Sequence, residues 1–266
     1  MQSQPIAIIP ARLESTRLPK KLLLDLCGKP LIQRVVENTL QMQLFDAVYV
    51  ATDSEIIANV CSSFGCPVIE TRKDHLSGTS RLAEAITKIK HGKIIVNVQG
   101  DEPFVQKKQL QALIEHLEQS RNAEIATLVY PSDDFEESKN PNIVKAVSDH
   151  QNRALYFSRY PIPYRLDPTQ KIKFLHHLGV YAYKRSFLKK YPSLKSCTLE
   201  STEKLEQLRF LTNAYKILLV ETDQKTIGID TLEDLEKARI AMQIIENGRG
   251  NEGDWENNSL LYSHTL

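Results

Sequence analysis

The chain has 266 residues, of which 41% are hydrophobic and 25% are charged. At about 100 to 200 residues per domain, this length allows one large domain or two small ones. Lysine and arginine number 34 against 33 aspartate and glutamate, and the net charge of +1 excludes nucleic-acid binding by bulk charge and a highly charged disordered chain. No apolar run reaches the ~18 residues of a membrane helix, and residues 5–11 are too short for a signal-peptide core. We therefore expect a cytoplasmic protein that binds neither nucleic acid nor membrane.

The four cysteines are sparse for a chain of this length and include no C-x-x-C pair: Cys27, Cys61, Cys66 and Cys197. This pattern favours reduced thiols over disulfides and argues against structural zinc.

Short β-rich runs alternate with longer stretches of helical period, which predicts an α/β fold with a mostly parallel sheet flanked by helices. In the first half, the predicted strands cover residues 6–9, 47–51, 67–70, 94–98 and 126–130. The predicted helices cover residues 30–44, 56–64, 79–90 and 106–119, and Asp53 is the expected cap of the second.

The second half has a different pattern. Residues 144–148 and 153–158 flank a turn-rich tetrad, which predicts a hairpin, and the proline-rich segment that follows predicts a mobile loop to about Lys171. The later predicted elements are strands 175–183 and 216–221 and helices 200–215 and 230–245. Residues 246–266 lack a sustained period, so we expect a flexible tail after a single domain of residues 1–245.

The loop after the first strand is basic. Residues 11–34 contain six cations against Glu14 and Asp25, a net charge of +4: Arg12, Arg17, Lys20, Lys21, Lys29 and Arg34. Ligands of open α/β sheets bind at the carboxyl ends of the strands, where a basic loop can hold a triphosphate without a glycine-rich cradle. The alternative is a solvated charged loop.

Two aspartates follow predicted strands. Asp101 lies in the turn after the expected central strand, and Asp230 starts the last predicted helix. Mg²⁺ prefers one or two carboxylates together with substrate phosphates, so this pair opposite a basic loop favours metal-assisted phosphoryl or nucleotidyl transfer. The alternatives are an ordinary acidic turn at Asp101 and a helix cap at Asp230.

Three further polar clusters have a functional and a structural interpretation. Residues 74–81 can offer backbone donors and Arg81 to an anion or a base, or can simply cap a helix. His177 and Tyr181 lie four residues apart on one strand face, where a buried, satisfied pair is the alternative. Residues 203–209 form a charged helical face that needs no function if it is solvated.

Eight segments in order resemble 3-deoxy-manno-octulosonate cytidylyltransferases, also called CMP-Kdo synthetases. They are residues 8–12, 15–19, 74–79, 96–103, 155–159, 177–181, 205–209 and 228–231. The resemblance runs from about residue 5 to 243. It implies a fold like that of nucleotide-diphospho-sugar transferases, with an inserted part of about residues 133–185 for dimerisation and closure over the sugar.

The resemblance also implies an activity: transfer of CMP from CTP to 3-deoxy-manno-octulosonate (Kdo), for lipopolysaccharide biosynthesis in a Gram-negative-type bacterium. It implies a Mg²⁺ cofactor and a homodimer. The implied catalytic residues are Lys21, Asp101 and Arg12, and the metal ligands are Asp101 and Asp230. The implied nucleotide-binding residues are Ala11, Arg12, Arg17, Lys21, Ser77 and Gly78. The implied sugar-binding residues are Gln99, Arg81, Arg159, His177, Tyr181, Glu206 and Gln207.

One position departs from the family pattern. The family usually has Leu-Pro-Gly-Lys-Pro where this chain has Leu-Pro-Lys-Lys-Leu at residues 18–22, so Lys20 replaces a glycine beside Lys21.

Two other functions remain open from the sequence: a CMP-sialic acid synthetase, and a catalytically inactive nucleotide-binding or regulatory homologue. The Glu206-Gln207 pair and the segment 177–181 favour Kdo, and retention of the catalytic and metal positions favours activity. Residues 146–164 carry more apolar and aromatic residues than a hairpin needs, which predicts a dimer interface. We expect residues 166–173 to order when sugar binds, because transfer to the sugar requires the exclusion of water.

Overall fold

A computed structural model describes residues 4–15, 17–167, 169–225 and 228–248. The strands are β1 (Ile6–Ala11), β2 (Ala47–Thr52), β3 (Val68–Glu70), β4 (Ile94–Asn97), β5 (Ile125–Ser132), β6 (Lys145–Ser148), β7 (Ala154–Ser158), β8 (Phe174–Lys184) and β9 (Ile217–Glu221). The helices are α1 (Leu31–Gln41), α2 (Glu55–Ser63), α3 (Gly78–Ala85), α4 (Lys107–Gln119), α5 (Phe135–Ser138), α6 (Arg185–Lys190), α7 (Thr198–Glu203), α8 (Gln207–Thr212) and α9 (Leu232–Gly248).

The strands form one mixed sheet whose main order is β3-β2-β1-β4-β8-β5-β9. β8 is the antiparallel member of this row, because it opposes both β4 and β5, while the β1–β2, β1–β4, β2–β3 and β5–β9 pairs are parallel. The mostly parallel α/β sheet predicted from the sequence is confirmed. Its parallel strands bring the carboxyl ends of β1 and β4 to one edge.

Both faces of the sheet are covered. Alternate residues of β1 enter opposite cores: Ala7 and Ile9 belong to one, and Ile6 and Ile8 to the other. The first core includes apolar residues of α1, α2, α4 and α9, and the second includes those of α3, α6 and α8. A strand covered on both faces needs apolar residues throughout, which explains the continuous hydrophobic runs in the sequence.

Residues 133–185, the predicted inserted part, contribute β8 to the centre of the sheet. The predicted hairpin is confirmed as the antiparallel β6–β7 pair, which attaches to β8 through Lys145 and Ala146. Lys145 is fully buried, and its Nζ donates to the backbone oxygens of Asn140, Ile143 and Arg159. This amine ties the segment after α5 to the end of β7.

Two predicted helices and one predicted helix cap differ from the structure. Residues 200–215 form two short helices, because Lys204 ends α7 in a left-handed conformation with φ 55°. The helix predicted over 79–90 ends at Ala85, after which i to i−3 hydrogen bonds from Thr87 and Lys88 replace the helical pattern. The prediction that Asp53 caps α2 is wrong, since Ser54 is the cap and its hydroxyl accepts from the Ile57 amide.

The last helix extends three residues past its predicted end. Arg34 is buried, and its guanidinium pairs with Glu246 near the end of α9 at 2.7 Å. The rest of the predicted tail, residues 249–266, lies outside the described residues. Of the helices that the structure describes, none combines the length and apolar character needed to cross a membrane.

Candidate active site

Lys21 lies between two carboxylates. It begins a 3-10 turn (Lys21–Leu23) at the edge where β1 and β4 end, and its Nζ donates to Asp101 Oδ2 at 2.5 Å and to Asp230 Oδ1 at 2.9 Å. Its side chain is only 10% exposed. Residues separated by 80 and 209 positions in the chain therefore converge on one nitrogen atom.

Gly100 allows this convergence. A Cβ at Gly100 would lie 3.2 Å from Leu22 Cδ2 and 3.3 Å from the Pro10 carbonyl oxygen. These distances leave no ordinary room for a side chain, so glycine lets the segment that carries Asp101 lie against both β1 and the Lys21 turn.

Asp230 belongs to the site and does not cap α9. Its Oδ1 accepts from Lys21, and its Oδ2 accepts from Arg17 Nη2 at 2.8 Å. Thr231 and Asp234 supply the cap, because each side chain accepts a hydrogen bond from the other residue's amide. This reciprocal cap leaves both oxygens of Asp230 facing the basic loop.

The carboxylates keep Lys21 charged. Burial lowers the pKa of Lys21, but the charges and hydrogen bonds of Asp101 and Asp230 outweigh burial and raise the pKa above its ordinary value of 10.5. The ammonium is therefore present throughout the neutral pH range and can stabilise negative charge on a substrate.

The same carboxylates fit a divalent cation. Both are hard oxygen donors, and both reach one cation-sized position, the one that the Lys21 ammonium takes here. This is the donor type that Mg²⁺ prefers, with phosphate oxygens completing its shell. Two carboxylates are too few for an all-protein cage, which is consistent with a metal that arrives with a polyphosphate.

A second cluster forms around Glu206, between α7 and α8. Its carboxylate accepts hydrogen bonds from the Ser77 hydroxyl, from Thr79 Oγ1 at 2.7 Å and from the Tyr191 hydroxyl at 2.5 Å. Thr79 also contacts the Tyr183 hydroxyl at 3.0 Å. Glu206 thus joins the start of α3 to the second half of the chain, which brings a predicted sugar residue and a predicted nucleotide residue into contact.

Gly78 continues this junction. A Cβ there would lie 3.2 Å from Pro10 Cγ and 3.7 Å from Asn97 Nδ2, so glycine lets the first turn of α3 lie against the ends of β1 and β4. Ala11, the last residue of β1, is buried at the same edge.

The predicted pair on β8 is brought together. The rings of His177 and Tyr181 are 5.4 Å apart, and His177 Nε2 lies 3.0 Å from Thr127 Oγ1. Burial lowers the pKa of His177 to about 3, so its imidazole is neutral. Burial raises the pKa of Tyr181, and the charge of Glu206 adds to that effect. Both side chains therefore offer neutral hydrogen-bonding groups.

Gln99 and Gln207 add amides to this region. Gln99 Nε2 donates to the Gly179 carbonyl at 3.1 Å, which joins the end of β4 to β8. Gln207 is 5% exposed, and its Nε2 has no hydrogen-bond partner within the described part of the chain. A buried amide donor of this kind is costly unless a ligand or water satisfies it.

Arg81 and Arg159, the two arginines predicted to contact the sugar, form hydrogen bonds with other parts of the protein. Arg81 is buried, with its guanidinium 2.9 Å from Asp53 and 2.5 Å from Thr71 Oγ1. Arg159 donates to the carbonyls of Glu203 and Pro141. Arg159 also lines a cleft of about 620 Å³ beside the β6–β7 pair, together with residues such as Tyr160, Tyr164 and Arg165.

Sequence reasoning missed Thr79, Thr127 and Tyr191. Each is a hydroxyl that touches a predicted site residue, and Thr127 is fully buried. Two of them could have been noticed in the sequence: Thr79 directly follows Ser77-Gly78 in a motif, and Thr127 is a polar residue in an otherwise apolar predicted strand.

Known proteins of similar sequence are cytidylyltransferases. A family model described as cytidylyltransferase matches residues 6–217. The chain is 46% identical over 240 residues to the 3-deoxy-manno-octulosonate cytidylyltransferase of Francisella tularensis subsp. holarctica (strain LVS), covering 87% of this chain and 96% of that protein.

Solved structures give the same result. A structure of CMP:2-keto-3-deoxy-manno-octonic acid synthetase complexed with CTP has a TM-score of 0.86 and 40% identity, and the match covers 91% of this chain and 99% of that one. A 4-diphosphocytidyl-2C-methyl-D-erythritol synthase from Anaerococcus prevotii, at a TM-score of 0.58 and 13% identity over 90% of this chain and 99% of that one, shares the fold alone.

The chain belongs to the cytidylyltransferase family and is a nucleotidyltransferase enzyme. Within that family it belongs with the 3-deoxy-manno-octulosonate cytidylyltransferases, which confirms the resemblance seen in its motifs.

Proposed function

We propose that this enzyme transfers CMP from CTP to Kdo and releases pyrophosphate. The observation that carries the proposal is the Lys21 ammonium, held between Asp101 and Asp230 beside the basic loop, in a chain of this family. In the reaction, the hydroxyl oxygen on the anomeric carbon of Kdo attacks the α-phosphorus of CTP. The bond from that phosphorus to the bridging oxygen breaks, and the hydroxyl proton leaves to solvent, since we assign no side chain as general base.

The barrier to this attack is electrostatic. A polyanion repels the nucleophile, and negative charge accumulates on the leaving group as the bond breaks. Lys21 would contact the α-phosphate, and Arg12 and Arg17 would hold the pyrophosphate. Arg12 is exposed on the basic loop and has no ion-pair partner among residues whose positions are described, so its guanidinium is available for a phosphate.

We propose Mg²⁺ as the cofactor, held by Asp101 and Asp230. The carboxylates fit it because they converge on one cation position. When bound, Mg²⁺ supplies positive charge to the phosphate oxygens and favours loss of the hydroxyl proton.

The sugar would lie on the Glu206 side of the site. His177, Tyr181, Gln99, Glu206 and Gln207 supply donors and acceptors for its hydroxyls, and the unpaired amide of Gln207 supports this assignment. Ser77 and Gly78 would line the cytidine pocket beside it. Arg81 and Arg159 would have to change partners to reach the sugar carboxylate, so we rank them below the other five.

We further propose a cytoplasmic homodimer that serves lipopolysaccharide biosynthesis. Exposed Tyr160, Tyr164 and Leu166 next to the β6–β7 pair support an interface there, since all three are at least 73% exposed in the single chain. We propose that residues 166–173 close over bound sugar; Pro168 within them lies outside the described residues.

Pyrophosphate release tests the reaction. The enzyme is mixed with CTP and Mg²⁺, and then with Kdo, with N-acetylneuraminate or with no sugar. We expect release only with Kdo. Release with N-acetylneuraminate but not with Kdo would show that sialic acid, and not Kdo, is the substrate. If neither sugar causes release and the protein still binds CTP, the chain is an inactive homologue.

A further inference from the structure

Lys20 adopts a backbone conformation that is unfavourable for lysine. Its φ of 53° and ψ of 31° are left-handed, a region in which the Cβ of an ordinary residue is crowded and glycine is not. The family pattern has glycine at this position. The Lys20 carbonyl accepts from the Leu23 amide at 2.9 Å, so the turn that carries Lys21 keeps this geometry although a side chain is present.

The charges around Lys20 suggest what its side chain does. Four of the six cations in residues 11–34 have carboxylate partners: Arg17 with Asp230, Lys21 with Asp101 and Asp230, Lys29 with Glu37, and Arg34 with Glu246. Within the described ranges, Arg12 and Lys20 have none, and Lys20 is exposed.

The paired cations cannot neutralise a triphosphate alone. Arg17 and Lys21 carry two positive charges against the two negative charges of Asp101 and Asp230, so this cluster is neutral before substrate binds. A nucleoside triphosphate adds several negative charges, and the unpaired cations of the loop supply positive charge beyond that of Arg17 and Lys21.

We propose that Lys20 is a further substrate-binding residue, which contacts the β- and γ-phosphates that leave as pyrophosphate. Its Cα is about 3.8 Å from that of Lys21, and a flexible four-carbon side chain from this position can reach phosphates that Lys21 does not. This inference rests on the proposed function. It predicts an effect on the binding of CTP and pyrophosphate and little effect on kcat, because the contact is made before and after the chemical step.

The test uses Lys20→Gly, Lys20→Arg and, as a backbone control, Gln43→Gly. Gln43 is also exposed with φ 54° but follows α1, outside the basic segment of residues 11–34. We expect Lys20→Gly to raise two constants about fivefold at low salt: KM for CTP, and the Kd of pyrophosphate measured by calorimetry in the presence of Mg²⁺. Its Tm should be unchanged or higher, and both constants should depend less on salt than in the unsubstituted enzyme. Lys20→Arg and Gln43→Gly should keep both constants.

Wild-type KM and pyrophosphate affinity in Lys20→Gly at low salt would overturn the inference, as would a matching loss in Lys20→Arg, which retains the charge. Failure of the proposed function is a separate result: the unsubstituted enzyme would then release no pyrophosphate from CTP and Kdo, whatever residue 20 is.

Discussion

Replacing Lys21 with methionine is the most direct test of the catalytic site, because it removes the ammonium and keeps most of the side-chain length. Loss of one preorganised charge-stabilising donor typically costs about 2.7 to 4 kcal/mol in the transition state, so we expect kcat to fall about 100- to 1,000-fold. KM for CTP should change much less, since the contact with the α-phosphate strengthens as charge develops.

The substitution also leaves two facing carboxylates without their shared cation. Water reaches both, since the Asp101 and Asp230 side chains are 28% and 42% exposed, and Arg17 still neutralises part of the charge on Asp230. We therefore expect the free energy of unfolding to fall by about 1 kcal/mol, near the lower end of the cost of leaving a polar group unsatisfied. Mg²⁺ should restore this stability, because a cation at the same position replaces the lost charge.

The assay pairs pyrophosphate release with thermal unfolding in EDTA and in Mg²⁺. Lys108→Met is a matched control, because Lys108 is an exposed lysine paired with Asp223 outside the site. A kcat within tenfold of the unsubstituted enzyme, or equal stabilisation of enzyme and variant by Mg²⁺, would refute this account of Lys21. A kcat loss in Lys20→Ala larger than that in Lys21→Ala would show that the catalytic lysine is assigned one residue too late.

Five other outcomes are expected. Asp101→Asn should remove at least ~99% of activity at saturating Mg²⁺ with unchanged thermal unfolding, since a neutral amide is a poor metal ligand; near-normal kcat would contradict its role. Glu206→Ala should cost about 1 to 3 kcal/mol in chemical denaturation, because it removes the shared acceptor of the Ser77, Thr79 and Tyr191 hydroxyls, and it should raise KM for Kdo more than KM for CTP. The pKa of His177 is about 3 in the folded state and 6.5 in the unfolded state. The free energy of unfolding should therefore fall as the pH falls from 6.5 to 3, by at most ~1.4 kcal/mol per pH unit. His177→Asn should remove this contribution to the pH dependence of stability. Light scattering at micromolar concentration should give twice the 30.3 kDa chain mass, and the mass of one chain would reject the dimer interface. Protease should cleave residues 166–173 more slowly when CTP and Kdo are bound, and equal cleavage with and without them would reject the closure.

The strands and the edge that carries the candidate site could be predicted from the sequence for the same reason. Strands covered on both faces need unbroken apolar runs, and ligands of such sheets bind where the strands end, so Asp101 could be predicted from the end of one run. Asp230 was ambiguous, because an aspartate before a helix is also a good cap. The reciprocal pair of Thr231 and Asp234 caps α9 and so excludes the capping role of Asp230.

The Glu206 cluster was not accessible in the same way. Thr79 and Glu206 are 127 residues apart, and their contact depends on how α3 and α8 lie on the same face of the sheet. The break between α7 and α8 depends on the left-handed conformation of Lys204, which a helical pattern in the sequence does not reveal. The family motifs identified Glu206 as a candidate, but only the folded structure shows which side chains it contacts.

The position of Asp230 has a consequence for protein synthesis. Every described strand ends by Glu221, so the ribosome completes the sheet before it adds the second carboxylate. A chain that stops between these two points would retain all the described strands and the first carboxylate, yet it would lack a residue on which the proposed chemistry depends. Premature termination in this region would also remove α9, whose apolar residues belong to the first core, so the incomplete chain should be unstable as well as inactive, and proteolysis rather than activity would decide its fate in the cell.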